Sequence, residues 1–77
     1  MLKIRLTRMG RKALPFYRIV VVDSRKRRDG AYIELVGTYD PIKKNVSFNK
    51  DLYSRYIGFG AQPTEAVERL YRSYANE

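Results

Sequence analysis

Closely spaced cations are the residues of this 77-residue sequence whose types could do chemistry, and they gather in two runs: Arg8-Met9-Gly10-Arg11-Lys12 and Arg25-Lys26-Arg27-Arg28-Asp29-Gly30. Guanidinium and ammonium groups at this density suit phosphate oxygens, which they bind by charge-assisted hydrogen bonds with release of counterions. Gly10 permits a positive φ, so the first run is expected to leave a strand through a sharp turn and fan its side chains outward. The second sets four adjacent cations before an Asp-Gly turn signal, where self-repulsion makes the chain costly to order without counter-charge. Other chemistries lack their reagents. With no Cys and no His, the chain has no disulfide, no thiolate or imidazole metal ligand, and no catalytic dyad or triad built on them. Asp23, Asp29, Glu34 and Asp40 show no spacing that suits a Mg²⁺ site, and each has a simpler role as turn former or charge neutraliser. Neither cofactor nor metal nor enzymatic activity is therefore expected.

The net charge of +8 is unevenly placed. Residues 1–30 hold ten Lys and Arg against two acids, whereas residues 31–77 hold six of each sign. A chain this short supports one domain, residues 1–77, so the whole excess becomes a patch on one side of one fold. Such a patch implies a polyanion partner, nucleic acid above all. No membrane partner is expected, since the longest apolar run is Ile19–Val22, too short for a membrane span or a signal peptide.

The elements that must carry the patch follow from periodicity. Leu2 to Thr7 alternates with period two, placing Leu2, Ile4 and Leu6 toward a core and Lys3 and Arg5 outward as a basic ladder. Phe16 to Val22 is aromatic and β-branched with Arg18 as its one polar break, and it reads as a central strand. Tyr32 to Tyr39 makes a third strand, with Ile33 and Leu35 on one face and Glu34 on the other, and Val46-Ser47-Phe48 a short fourth. Asp40-Pro41 and Lys43-Lys44-Asn45 supply the turn between these two. After Phe48 the period becomes helical. Asn49 caps a helix whose apolar face is Leu52, Tyr53, Tyr56 and Ile57, ended by Gly58 and Gly60. Thr64 caps a second, with Val67, Leu70, Tyr71 and Tyr74 inward. The fold class is α+β: a small, mostly antiparallel sheet of about four strands followed by two short helices on one face or at one end. If the first two strands are neighbours, both basic loops converge with the Lys3/Arg5 ladder into one continuous surface.

Two groups of residues need sorting. Tyr53, Tyr56, Tyr71 and Tyr74 lie on inward helical stripes and belong to the core, whereas Tyr17 and Tyr39, beside basic or turn segments, are open to either a core or a base-stacking role. Glu65 with Arg69 and Glu68 with Arg72 are i, i+4 pairs, so these arginines belong to a solvated helix face rather than the patch.

In order along the chain, five segments resemble one family. Leu2-Lys3-Ile4-Arg5-Leu6-Thr7-Arg8-Met9-Gly10-Arg11 comes first, then Pro15-Phe16-Tyr17-Arg18-Ile19-Val20-Val21. Asp23-Ser24-Arg25 with Arg28-Asp29-Gly30, Ile33-Glu34 with Gly37-Thr38-Tyr39-Asp40-Pro41, and Gly60-Ala61-Gln62-Pro63-Thr64 complete the series. Together they resemble the bacterial-type small-subunit ribosomal protein family numbered sixteen. Leu14 departs from it where many members are basic, as does Tyr56 near where many carry Trp. The resemblance implies a non-enzymatic α+β protein that binds small-subunit ribosomal RNA in the body of the subunit and assists its assembly, beside other ribosomal proteins. It implies a cytoplasmic setting in bacteria, or an organelle-encoded one, and no small-molecule substrate. It also carries RNA contact onto Lys3, Arg5, Arg8, Arg11, Lys12, Arg18, Arg25, Lys26, Arg27 and Arg28, and with Tyr17, Lys43 and Lys44 these form the candidate RNA-binding set. The alternative reading is a general basic nucleic-acid-binding module that takes DNA as readily as rRNA.

Overall fold

The computed structural model describes residues 1–11, 13–25 and 32–75, with Arg11 described by its backbone alone. Strands β1 (Leu2–Arg11), β2 (Leu14–Asp23), β3 (Glu34–Asp40) and β4 (Asn45–Phe48) come first, then helix α1 (Lys50–Gly58), a two-residue strand β5 (Gln62–Pro63) and helix α2 (Glu65–Ala75). One sheet holds all five strands in the order β4-β3-β2-β1-β5. Its four long strands pair antiparallel and β5 joins β1 in parallel. The fold is α+β as the periodicity implies, with one strand more than expected. Two residues, one of them Pro, carry no period, and β5 forms because the α1–α2 connection passes the open edge of β1; Thr64 N–H donates to the Ile4 carbonyl there at 2.9 Å.

The uninterrupted apolar run of β2 is explained by its place in the middle of the sheet. Ile19 and Val21 face the helices, while Val20 and Val22 are buried on the opposite face, flanked in the ladder by Arg5 and Lys3 of β1. The core joins Ile4, Ile19, Val21, Val36 and Phe48 of the sheet to Tyr53 of α1, Ala61, and Val67 of α2. Tyr53 stacks on Tyr71 with ring centroids 4.0 Å apart, and Phe48 meets both rings edge-on. Burial raises the Tyr53 phenol pKa above its usual value, with the Tyr71 and Glu68 charges adding to the effect. Both helices start where their caps require: Leu52 N–H donates to the Asn49 side chain at 3.1 Å, and Val67 N–H to the Thr64 hydroxyl at 3.4 Å. Tyr56, Leu70 and Tyr74 pack against the core as expected, but Ile57 is 39% exposed and lies off the inward stripe.

Two strand readings change in the folded chain. β3 begins at Glu34 rather than Tyr32, and its core residue is Val36, fully buried, while Ile33 and Leu35 are 48% and 38% exposed on the open face. The cause is a bulge: Leu35 pairs with Val20 and Gly37 with Ile19, so Val36 is an extra residue and alternation breaks there. β1 runs on to Arg11, opposite Leu14, so Arg8 to Arg11 are ladder residues rather than a loop. Gly10 sits inside that ladder at φ +86°, and a Cβ on it would lie 2.6 Å from the Leu14 carbonyl. Its role is a local backbone fold within a continuing hairpin.

Candidate nucleic-acid interface

Registers of the β1–β2 hairpin decide where each cation goes. Directly opposed residues share a face, and Ile4 with Val21 and Leu6 with Ile19 mark the helix-covered side. The next set, Lys3 with Val22, Arg5 with Val20 and Thr7 with Arg18, therefore lies on the side without helices. Lys3 and Arg5 are exposed and Arg18 half-buried, which bears out the basic ladder on an open face. Arg8 opposes Tyr17 on the helix side, two residues beyond the last core pair, Leu6 with Ile19.

The described parts of the two basic runs, Arg8 to Arg11 and Arg25, lie toward opposite ends of the hairpin. Leu2 opposes Asp23 at one end of the hairpin and Arg11 opposes Leu14 at the other, so ten paired residues at about 3.3 Å each separate them by roughly 30 Å. A long antiparallel hairpin holds the residues that leave its second strand and its own turn at opposite ends, whatever the charges favour. Instead, Arg8 and Arg11 share their end of the sheet with the β3–β4 turn, because Tyr17 pairs with Tyr39, and Asp40 with Asn45 just beyond. Lys43 and Lys44, both exposed, stand in that turn, with Lys44 in the left-handed region at φ 55°. Asp40 pins it by accepting from Ile42 N–H at 3.0 Å and Lys43 N–H at 3.2 Å. An apolar cleft lined by Leu14, Pro15, Phe16 and Ile42 opens at the same end, where both Leu14 and Ile42 are exposed.

At the far end Arg25 is exposed, and Asp23 partly offsets its charge. The Asp23 carboxylate accepts from Arg25 N–H at 3.0 Å and lies 3.5 Å from both Arg25 Nε and the Met1 ammonium. The backbone hydrogen bond from Arg25, with the two nearby cations, holds the Asp23 carboxyl below the usual aspartate pKa. Asp23 and Asp40 thus act as turn formers. Lys12, Lys26, Arg27, Arg28 and Asp29 lie outside the described residues.

Among the described residues the ion pairs are Asp23 with Arg25 and Met1, and Glu65 with Arg69 at 2.7 Å. Lys3, Arg5, Arg8, Arg18, Lys43 and Lys44 take part in none of these. The expected Glu65–Arg69 pair forms, while Glu68 and Arg72 are not within ion-pair distance. Tyr17 and Tyr39, open to a core or a base-stacking role from the sequence, stack on each other at 6.1 Å and 30°, outside the core cluster. The pairing of Tyr17 with Tyr39 is legible only from the register.

The sequence that builds this hairpin has counterparts among known proteins. The family model for ribosomal protein S16 matches residues 8–64. Small ribosomal subunit protein bS16 of Thermosipho africanus is 60% identical over 74 residues, covering 94% of this chain and 79% of that protein. The protein of the same name from Agathobacter rectalis is 55% identical over 73 residues, covering 92% of this chain and 90% of its own length. That of Mycoplasma capricolum is 53% identical over 70 residues. Identity at this level over nearly the whole chain establishes that the chain belongs to the ribosomal protein S16 family.

Proposed function

We propose that this protein is a non-catalytic constituent of the small ribosomal subunit, a single RNA-binding domain that holds small-subunit rRNA in the body and assists its folding. The observation that carries the reading is the helix-free face of the β1–β2 hairpin, where Lys3, Arg5 and Arg18 stand without a carboxylate partner among the described residues. RNA helices brought together repel through their phosphates, and a rigid sheet with cations on an open face and at both ends neutralises that repulsion while setting their geometry. Binding energy then becomes RNA folding energy. A-form helices offer phosphates, 2′-hydroxyls and shape, so Arg and Lys contacts to backbone should outnumber contacts to base edges. Arg8, Arg11, Lys12, Lys43 and Lys44 would serve one RNA segment and Arg25 to Arg28 another. Tyr17 would contribute beside Arg8.

The cytoplasm is the setting, as for the bacterial family members. Neighbouring small-subunit proteins are the other expected partners, and Ile57 and Phe59, exposed at the end of α1 on the charge-neutral half, suit such a contact. The test is a salt titration comparing an rRNA body fragment with duplex DNA of equal charge. A preference for the rRNA of about a thousandfold or more, persisting at physiological salt, is the expected result. Equal affinities would instead support the general basic nucleic-acid module.

A further inference from the structure

Tyr17 and Tyr39 are cross-strand partners on the helix-facing side of the sheet, but they lie one row beyond the helices' cover. The last core row reads Leu6, Ile19, Gly37, Phe48 across β1 to β4, and the next reads Arg8, Tyr17, Tyr39, Val46. Both tyrosines are half-buried, neither belongs to the core cluster, and their rings stack on each other with centroids 6.1 Å and planes 30° apart. They form an aromatic step beyond the core. Farther out, Gly10 opposes Pro15, so no long side chain rises from the next row of β1 and β2. Among the described residues the one cation over a ring is Lys50 on Tyr74, so the exposed Arg8 does not cap Tyr17. Cations nevertheless surround the step, with Arg8 in its row and Lys43 and Lys44 in the turn that follows Tyr39.

We propose that Tyr17 and Tyr39 form a stacking platform for an unpaired base of RNA, with Arg8 and the turn lysines holding the flanking phosphates. The proposal rests on the RNA-binding reading and deepens it: this end of the sheet takes a looped-out or single-stranded nucleotide, while the open face takes helical backbone. Phosphate contact alone would call for cations without an aromatic surface between them, whereas base stacking needs a π-face bordered by charge. A purely structural pair would stabilise the sheet without altering what it binds.

The decisive measurement uses the full chain and two oligomers with equal numbers of phosphates, one a single-stranded purine RNA and the other an abasic phosphodiester, at physiological salt. The expected result is about tenfold tighter binding of the base-bearing oligomer, with upfield ring-current shifts at the Tyr17 and Tyr39 ring protons. The double variant Tyr17→Phe/Tyr39→Phe should keep that ratio, and Tyr17→Leu/Tyr39→Leu should abolish it. Equal binding of the two oligomers by the unaltered protein overturns the platform, and this arm does not depend on any variant folding. If rRNA is still preferred over duplex DNA in that case, the RNA-binding reading stands and only the platform falls. Loss of both preferences removes both.

Discussion

Asp23 shows how one side chain organises an end of the sheet. Its carboxylate gathers the Arg25 N–H, the Arg25 guanidinium and the Met1 ammonium, and its pKa lies below 3.8. A carboxyl whose folded pKa is depressed contributes stability that is present above the unfolded value and lost as pH falls through the folded value. Thermal unfolding followed from about pH 5 to 2 should therefore show an acid limb that Asp23→Asn flattens; an unchanged limb would mean that the bracket does not differ between the folded and unfolded chain. Gly37 is a second single-residue constraint. A Cβ there would lie 2.4 Å from the Ser47 carbonyl and 3.2 Å from Ile19 Cδ1, so β4 reaches β3 only because no side chain intervenes. Gly37→Ala should cost about 1–3 kcal/mol in urea unfolding.

Helix caps and core stripes can be tested at the scale of elements. Removing the oxygen that accepts Leu52 N–H, by Asn49→Ala, should cost about 1 kcal/mol. Val67 is the fully buried residue of α2 and links that helix to the sheet; Val67→Ala should cost about 2–3 kcal/mol from lost transfer energy and the cavity left behind. Denaturant midpoints read both, and Val67→Ala is expected to show the larger loss. Both caps and stripes were legible in the sequence because each depends on residue type at a fixed local spacing. The β3 bulge was not, since it arises from how β2 and β3 settle against each other, and it moved the core position from the expected alternation onto Val36.

Charge belongs to the whole molecule. The half with excess cations supplies β1 and β2, with Lys3, Arg5 and Arg18 on the open face, while the balanced half supplies β3 to β5 and the helices that cover the other side. Each phosphate contact removed should lower the slope of log K against log salt on duplex DNA by about 0.9. Arg5→Ala, on the open face, is expected to show that loss, and Arg69→Ala, already paired with Glu65, is expected to show none. Matching slopes for the two variants would mean that binding does not use the hairpin face.

Residue types and local periods were enough to determine that this chain is basic and α+β with its four main strands before its helices, its excess cations in the first 30 residues and its family legible in five ordered segments. These properties are local or additive, so they survive in a linear string. The tertiary structure alone decided that Arg11 and Arg25 sit at opposite ends of a ten-residue ladder, that Gln62–Pro63 closes the β1 edge, and that Tyr17 meets Tyr39 outside the core. Each of those depends on strand register and strand order, which are set by how distant segments bury their apolar faces together.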